Sequence, residues 1–283
     1  IGVNRNEISD LGLLPADFGC LGERVGYYGN SLGDHFGVGH IFLAGEAPGL
    51  FYGYVTQGIV QKEDITENGI KYIKQDGSVG YYQTVNKTTP VAGDVKYVDR
   101  NGDGVVDDND RDIIGNPNPD FTYGFQTKVS WKSLSLSASF NGVQGRDILN
   151  VGNRYNNTPG TKSNNVTRKA FQNMWTDENP SNLYPKSTFV VQNMVMDRYV
   201  EDGSYLRCSD ITLSYVLPAK WTNKIGIKNT SVYASVKNAF VITDYSGYDP
   251  EVNSFAFDGL RPGVDMNSYP TPRSFVFGLN LTF

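Results

Sequence analysis

The residues with the clearest chemical pattern lie between Tyr97 and Asp110, in the stretch YVDRNGDGVVDDND. Oxygen donors recur there as in a calcium-binding loop that begins at Asp99, and Gly104 stands where such a loop turns sharply. Side chains would bind at the first, third, fifth, ninth and last positions, and a carbonyl at the seventh. The predicted ligands in chain order are Asp99, Asn101, Asp103, Val105, Asp107 and Asp110.

The last ligand position holds Asp110 rather than the usual Glu. The shorter side chain reaches less far, which would weaken Ca²⁺ binding or favour a smaller ion such as Mg²⁺. The flanking stretches DVKYV and NPNPDFTYGF are typical of strands, not helices. We therefore expect a structural cation that fixes a long loop. The alternative is a solvated acidic turn built by the Asn-Gly and Asp-Gly dipeptides.

The loop leads into a hairpin with a period of two, over DFTYGFQTKVSWKSLSLSASFNG. Its strands have roughly the ~9 to 11 residues that cross a bilayer. A short turn is predicted near Lys132 and Ser133. One face of the first strand carries Phe121, Tyr123, Phe125, Thr127, Val129 and Trp131. The second strand places Leu134, Leu136, Ala138 and Phe140 between serines.

The polar face of this hairpin leaves two architectures open. It carries Ser, Thr, Gly, Gln and Asn, which suit a water-filled barrel lumen. The apolar face ends in aromatic residues, Phe121 and Tyr123 at one end and Trp131 at the other, as in the girdles of membrane barrels. A soluble β-sandwich would show the same alternation.

Three further stretches alternate in the same way. ITLSYVLP places Ile211, Leu213, Tyr215 and Leu217 on one face, and SVYASVKNAFVIT breaks its pattern at Asn238, which predicts a bulge or a strand end. The final stretch, SFVFGLNLTF, resembles the assembly signal of bacterial outer-membrane barrels. Its apolar face carries Phe275, Phe277, Leu279, Leu281 and Phe283.

Composition excludes several classes of protein. The formal net charge of −5 over 283 residues offers no basic stripe for nucleic acid. No apolar run reaches the ~18 to 20 residues of a membrane helix.

Cys20 and Cys208 either form one disulfide or remain two thiols. His35 and His40 stand outside ligand motifs, and no catalytic motif is visible, so we predict no enzyme, although the carboxylate pair of a glycosidase would not be visible in sequence.

Several blocks together resemble SusC/RagA-type TonB-linked outer-membrane transporters. The blocks, in the order that this family has them, are GEAPGLFYGYVTQGIVQ (45–61), AGDVKYVDRNGDGVVDDNDRDIIGNPNPDFTYGF (92–125), VEDGSYLRCSDITLSYVLP (200–218), YSGYDPEV (245–252) and YPTPRSFVFGLNLTF (269–283). The resemblance covers most of residues 45–283. Cys208 departs from it, since the family more often has an apolar residue or Lys there.

The resemblance implies an all-β fold, in which residues 1–283 form the C-terminal part of a large antiparallel transmembrane β-barrel of roughly 22 strands with long extracellular loops. The plug and the N-terminal strands are absent from this sequence. The chain has room for about eight to ten strands. Because an open half-barrel would expose an unpaired edge to lipid, we expect another polypeptide to complete the wall.

The implied partners are the N-terminal plug and barrel part of the same transporter, a SusD-like surface lipoprotein, TonB acting through the missing part, and the lipid of the bacterial outer membrane. The implied function is TonB-dependent import of an oligosaccharide or a peptide. The chain would supply lumen wall, loops and lid contacts. The alternative is a secreted, Ca²⁺-stabilised β-sandwich that binds glycans or mediates adhesion.

A helical segment is predicted within residues 164–185, ending before Asn179 and Pro180. In the family such segments lie in extracellular loops that meet the lipoprotein and the substrate. Tyr155, Trp175 and Tyr184 are therefore candidates for sugar stacking or lid contact. The alternative for each of the three is packing within the loops.

Overall fold

The computed structural model describes residues 1–3, 5–12, 19–21, 24–33, 36–158, 165–187, 194–222 and 229–282. The strands in chain order are β1 (Gly2–Val3), β2 (Gly19–Leu21), β3 (Arg24–Tyr28), β4 (His40–Leu43), β5 (Leu50–Tyr54), β6 (Thr56–Ile59), β7 (Ile65–Thr66), β8 (Gly69–Ile73), β9 (Val79–Tyr82), β10 (Thr84–Val85), β11 (Val95–Tyr97), β12 (Val105–Val106), β13 (Arg111–Gly115), β14 (Phe121–Trp131), β15 (Leu134–Gln144), β16 (Asp147–Asn150), β17 (Val200–Asp202), β18 (Tyr205–Val216), β19 (Asn229–Thr243), β20 (Val264–Asp265) and β21 (Ser274–Thr282). The α-helices are α1 (Val151–Asn157), α2 (Arg168–Asn173) and α3 (Ala219–Thr222), and the 3₁₀ turns are Lys62–Asp64, Asp108–Asp110 and Asp197–Tyr199.

The long strands form one antiparallel sheet, which we call the wall. Within the described residues its order is β1-β14-β15-β18-β19-β21. β14 and β15 pair from Phe121↔Gln144 to Trp131↔Leu134, so the turn at Lys132 and Ser133 is confirmed. Lys132 has a φ of 53°, as a tight two-residue hairpin turn demands.

The register of the wall gathers apolar side chains into a continuous band on one face, because directly paired residues point to the same side. Successive rows of this apolar band are Trp131-Leu134-Tyr215-Val232-Leu279, Val129-Leu136-Leu213-Ala234-Phe277, Thr127-Ala138-Ile211-Val236-Phe275 and Phe125-Phe140-Cys208-Phe240. The band is open to the surroundings, and Phe277 is 78 % exposed. The alternation predicted for these strands is confirmed.

The opposite face of the wall is polar. Its rows include Gln126-Ser139-Asp210-Lys237-Ser274 and Lys128-Ser137-Thr212-Ser235-Val276. Lys237 Nζ lies 2.7 Å from Asp210 Oδ2, which also accepts a hydrogen bond from Ser235. Paired charges on this face suit a wetted lumen and would be unfavourable against lipid.

The break predicted at Asn238 is a β-bulge. The pairing of β18 with β19 shifts between Cys208↔Phe240 and Asp210↔Lys237. Asn238 has a φ of 52°, and its side chain donates to the carbonyl of Pro272. An Asn tolerates this left-handed conformation better than the Val or Phe that continue the strand.

Tyrosine rings cover glycines across neighbouring strands at several places. The directly paired residues are Tyr72↔Gly80, Tyr123↔Gly142 and Tyr233↔Gly278. A Cβ added to Gly142 would lie 2.4 Å from the ring of Tyr123, and one on Gly278 would lie 2.2 Å from the ring of Tyr233. These contacts fix the register of the paired strands, because a slip of one residue would place the tyrosine ring against a side chain instead of a glycine.

The estimate of about eight to ten barrel strands is wrong for this part of the chain. Six strands form the wall among the described residues, and β1 contributes only Gly2 and Val3. The reason is that long connections leave the wall at one end, opposite the Lys132 turn, and fold together. We call the described parts of residues 5–120, 145–204 and 244–273 the loop layer.

The loop layer has its own apolar core, which combines side chains from residues 32–106, 149–151, 194–199 and 264. A second sheet, in the order β13-β5-β4-β3-β2, lies beside this core. The predicted helical segment contains α2, whereas α1 was not predicted. Cys208 is a buried free thiol, so the disulfide is not formed. None of the described helices is both long enough and apolar enough to cross a membrane.

Candidate functional site

The predicted metal loop connects β11 to β13, and its carboxylates bind the loop's own backbone. Asp99 is buried, and its two oxygens accept from the N–H groups of Gly102 at 2.6 Å and Gly104 at 2.9 Å. Asp103 Oδ1 accepts from Val105 N at 2.8 Å. Such Asx turns follow from the Asn-Gly and Asp-Gly sequence and hold the loop without any ion.

Asp110 closes the same loop from within. It is fully buried, and its oxygens accept from the N–H groups of Arg100 at 2.7 Å and Asp107 at 2.8 Å. Burial raises the pKa of this carboxyl above its ordinary value, while the backbone N–H groups act in the opposite sense. Asp110 therefore fastens the beginning of the loop to its end.

The structure does not gather the six predicted ligands around a common point. In the described part of the chain, no three His, Cys, Asp or Glu side chains are close enough to share a metal ion. Val105, Asn101 and Asp103 are exposed, whereas Asp99 and Asp110 face the interior. The geometry fits an acidic turn held by backbone hydrogen bonds, and the cation stays a prediction.

Trp175 lies inside the loop layer. Its ring is 8 % exposed and packs against Gly93, where an added Cβ would lie 2.5 Å from the ring. Its indole N–H donates to Gln61 Oε1 at 3.0 Å. The ring face packs against Gly93 and the indole N–H is bonded to Gln61. In this structure Trp175 therefore packs within the loops and does not present its ring to a sugar or a lid.

Tyr155 and Tyr184 differ in their surroundings. Tyr155 packs edge-on against Phe36, with ring centres 6.1 Å apart, at the margin of the apolar core. Tyr184 is half-buried and lines a cavity of about 300 Å³ together with Lys169, Arg198 and Tyr199. Tyr184 therefore borders a cavity in which a ligand could lie.

The asparagines beside this cavity were not among the site residues predicted from the sequence. A second cavity of about 200 Å³ is lined mainly by asparagines, together with Tyr248, Asp265, Thr167, Ser246 and Gly247; the asparagines are Asn150, Asn153, Asn156, Asn157 and Asn267. We call it the amide cavity, and we call the one with Lys169 and Arg198 the cationic cavity. The run NVGNRYNN at 150–157 was the available signal, since it presents amides on successive turns of a short helix.

The residues of the predicted assembly signal lie on β21, at the edge of the wall. Phe275, Phe277, Leu279 and Leu281 occupy the apolar band, as predicted from their spacing. Phe283 lies outside the described residues. β21 pairs with β19 on one side only within the described chain, so its other edge is available to a further strand.

An ion cluster in which Arg207 and Asp249 are buried joins the wall to the loop layer. Arg207 on β18 lies 2.5 Å from Asp249 and 2.8 Å from Glu251, both in the loop layer. Tyr205 donates to Glu251 at 2.6 Å. Because breaking a buried pair leaves an uncompensated charge, this cluster holds the connection after β19 against the end of β18.

No family model matches the sequence. Curated proteins do match it. A TonB-dependent receptor of Formosa agariphila is 35 % identical over 201 residues, which is 68 % of this chain and 20 % of that receptor. A second receptor of that organism is 33 % identical over 248 residues, covering 86 % of this chain and 23 % of its own length. The TonB-dependent receptor SusC of Bacteroides thetaiotaomicron is 34 % identical over 194 residues, which is 66 % of this chain and 17 % of SusC.

Solved structures of transporters have the same fold. The RagAB peptide transporter matches with a TM-score of 0.59 and 25 % identity, over 87 % of this chain and 24 % of that one. The RagAB peptide importer in its closed-closed state matches with a TM-score of 0.60 and 24 % identity, over 92 % of this chain and 26 % of that one. The wall is therefore part of a large antiparallel barrel, which confirms the predicted fold class and not the sandwich.

The chain belongs to the TonB-dependent receptors. Within that class it is a C-terminal portion of the SusC/RagA type, as the sequence blocks predicted. It spans between 17 % and 26 % of the length of the curated relatives it matches. These relatives are named as receptors, and the solved neighbours as transporters or importers, which agrees with the prediction that the chain is not an enzyme.

Proposed function

We propose that the chain forms part of the wall and the loop layer of an outer-membrane importer powered through TonB. The observation that carries the proposal is the apolar band, which crosses five strands of nine to fifteen residues while the opposite face stays polar. Strands of about 9 to 11 residues span the hydrocarbon core, so the band suits lipid and the polar face suits a lumen.

The partners follow from the edges of this wall. The outer edges at β1 and β21 require further strands, because unpaired backbone groups in lipid are costly. We propose that the N-terminal part of the same transporter supplies these strands, the plug and the segment that meets TonB. A SusD-like surface lipoprotein would cover the loop layer. The RagAB protein, which this chain resembles in fold, is a peptide importer.

The substrate is an oligosaccharide or a peptide. The polar rows of Ser, Thr, Gln and Asn on the lumen face offer donors and acceptors that serve either class. The loop layer adds the amide cavity and the cationic cavity, and Tyr184 borders the latter. A Ca²⁺ or Mg²⁺ ion in the Asp99–Asp110 loop would add structural support to this layer.

The experiment that tests the proposal is purification from native membranes. The complex is solubilised in detergent, and every polypeptide that accompanies this chain is identified by mass spectrometry. We expect a plug-bearing segment and a lipoprotein with it. Recovery of the chain alone from the soluble fraction would refute the membrane wall. Growth of a strain lacking the transporter on oligosaccharides or on peptides then assigns the substrate class.

A further inference from the structure

The amide cavity and the cationic cavity are adjacent, since Asn153 and Asn157 line both. Their volumes are about 200 Å³ and about 300 Å³ respectively. Small-molecule sites typically have volumes of about 300 to 1,000 Å³. The joined cavities are thus large enough for part of a polar oligomer.

The cationic cavity contains positive charge that the described residues leave without an ion pair. Arg198 Nη2 donates to the carbonyl of Leu183, but Arg198 Nη1 is buried and has no hydrogen-bond partner among the described residues. Lys169 on α2 makes no ion pair within the described chain, and the described lining of this cavity contains no carboxylate. A buried donor without an acceptor is unfavourable, and a ligand carboxylate would satisfy it with a charge-assisted bond.

The amide cavity is rich in paired donors and acceptors. One carboxylate, that of the buried Asp265, also lines it, and its oxygens accept from the Tyr245 hydroxyl and the Ser268 N–H. Thr167 donates to Asn157 Oδ1 at 2.6 Å, and Asn156 donates to Asn267 Oδ1 at 3.3 Å, so the amides are held in place. Asn267 has a φ of 63°, a conformation that costs energy outside Gly and recurs at ligand sites. Tyr248 is 69 % exposed at the margin and offers a flat ring.

We propose that the joined cavities bind an acidic oligosaccharide. Lys169 and Arg198 take a uronate carboxylate, and the asparagines take the hydroxyl groups of the adjoining sugar, which stacks on Tyr248. The described lining of the amide cavity contains no aliphatic side chain. Amides that both donate and accept match sugar hydroxyls. The proposal rests on the import function and narrows its substrate class.

The test compares ligands on the intact transporter purified with its partner polypeptides. A galacturonate tetramer, a neutral galactose tetramer and a glutamate tetramer are titrated by calorimetry. Lys169→Gln should weaken binding of the galacturonate tetramer about tenfold, as expected for one charge-assisted bond, and leave the galactose tetramer unchanged. The matched control is Lys71→Gln, because Lys71 is also an exposed lysine but lies on β8, away from the lining of both cavities. It should change the affinity for neither the galacturonate nor the galactose tetramer. Asn267→Ala should weaken both sugars.

The outcomes separate the site from the function. Unchanged galacturonate binding in both Lys169→Gln and Arg198→Lys would overturn the cationic cavity. Tighter binding of the glutamate tetramer, lost in Lys169→Gln, would overturn the sugar and assign a peptide carboxylate. Absence of binding by all three ligands in a complex that is correctly assembled in the membrane would overturn the subsite while leaving the import function standing. Failure of membrane assembly would refute the function itself.

Discussion

At the residue scale, His40 is a buried histidine whose surroundings disfavour its charged form. Its Nε2 donates to the carbonyl of Pro262 at 2.9 Å, and its Nδ1 is buried without a hydrogen-bond partner in the described chain. Burial lowers the pKa of His40 from 6.5 to about 4, while the bond to Pro262 opposes this shift. The imidazole is therefore neutral at physiological pH, with the proton on Nε2.

This environment predicts a pH dependence. Between pH 6.5 and about 4 the unfolded chain binds the proton more readily than the folded one. The stability contribution is thus complete above pH 6.5 and is lost as pH falls towards 4, by roughly 3 kcal/mol. His40→Gln should be less stable at neutral pH but lack this loss. Thermal unfolding of the complex across the range checks it, and equal slopes in both proteins would contradict it.

The acidic loop gives a second prediction at this scale. Asp99 accepts two backbone N–H groups, so Asp99→Ala leaves both without partners and should cost about 1 to 3 kcal/mol, with or without a chelator. A bound cation would add a further loss of stability on chelation, which Asp103→Ala would abolish. Thermal unfolding with and without EDTA and added Ca²⁺ measures both effects. No response to either reagent would leave the acidic turn as the correct description.

At the scale of elements, the Tyr–Gly pairs give a prediction with a built-in control. Gly142→Ala would place a Cβ 2.4 Å from the Tyr123 ring and 2.6 Å from the carbonyl of Tyr205, whereas Gly124→Ala meets nothing nearer than 3.4 Å. We expect Gly142→Ala to cost about 1 to 3 kcal/mol by overpacking and Gly124→Ala to be nearly neutral. Urea unfolding of the detergent-solubilised complex compares them. Equal costs would mean that the ring moves aside freely.

At the scale of the whole molecule, the two faces of the wall predict opposite responses to charge. Leu213 lies in the middle of the apolar band, and its neighbour Ser214 lies on the polar face. Leu213→Arg should cost about 2 to 4 kcal/mol near the bilayer midplane, and Ser214→Arg should be tolerated in a wet lumen. The measurement is the folded fraction in outer membranes, followed by heat-dependent migration on gels. The reverse ranking would place the band inside the barrel.

Much of the wall could be predicted from sequence because alternation depends only on neighbouring residues. The period of two assigned Phe125, Val129 and Leu136 to one face, and Asn238 marked a bulge or a strand end because it breaks the apolar pattern. The predicted number of wall strands was wrong because the described parts of residues 5–120 fold into a layer with its own core. No local feature of the sequence distinguishes a short strand of this layer from a wall strand.

What the sequence determined by itself was the two faces of the long strands and the turn at Lys132, since each follows from local backbone preference and side-chain period. The barrel rather than the sandwich was predicted from the family resemblance of whole sequence blocks, because the period of two is the same in both. Only the tertiary structure decided which contacts the predicted site residues make. It turned Asp99 and Asp110 towards backbone N–H groups, buried Trp175, and joined Lys169 with Arg198 beside the asparagines. These arrangements depend on contacts between residues that are far apart in the chain, and the spacing of residues along the sequence does not predict such contacts.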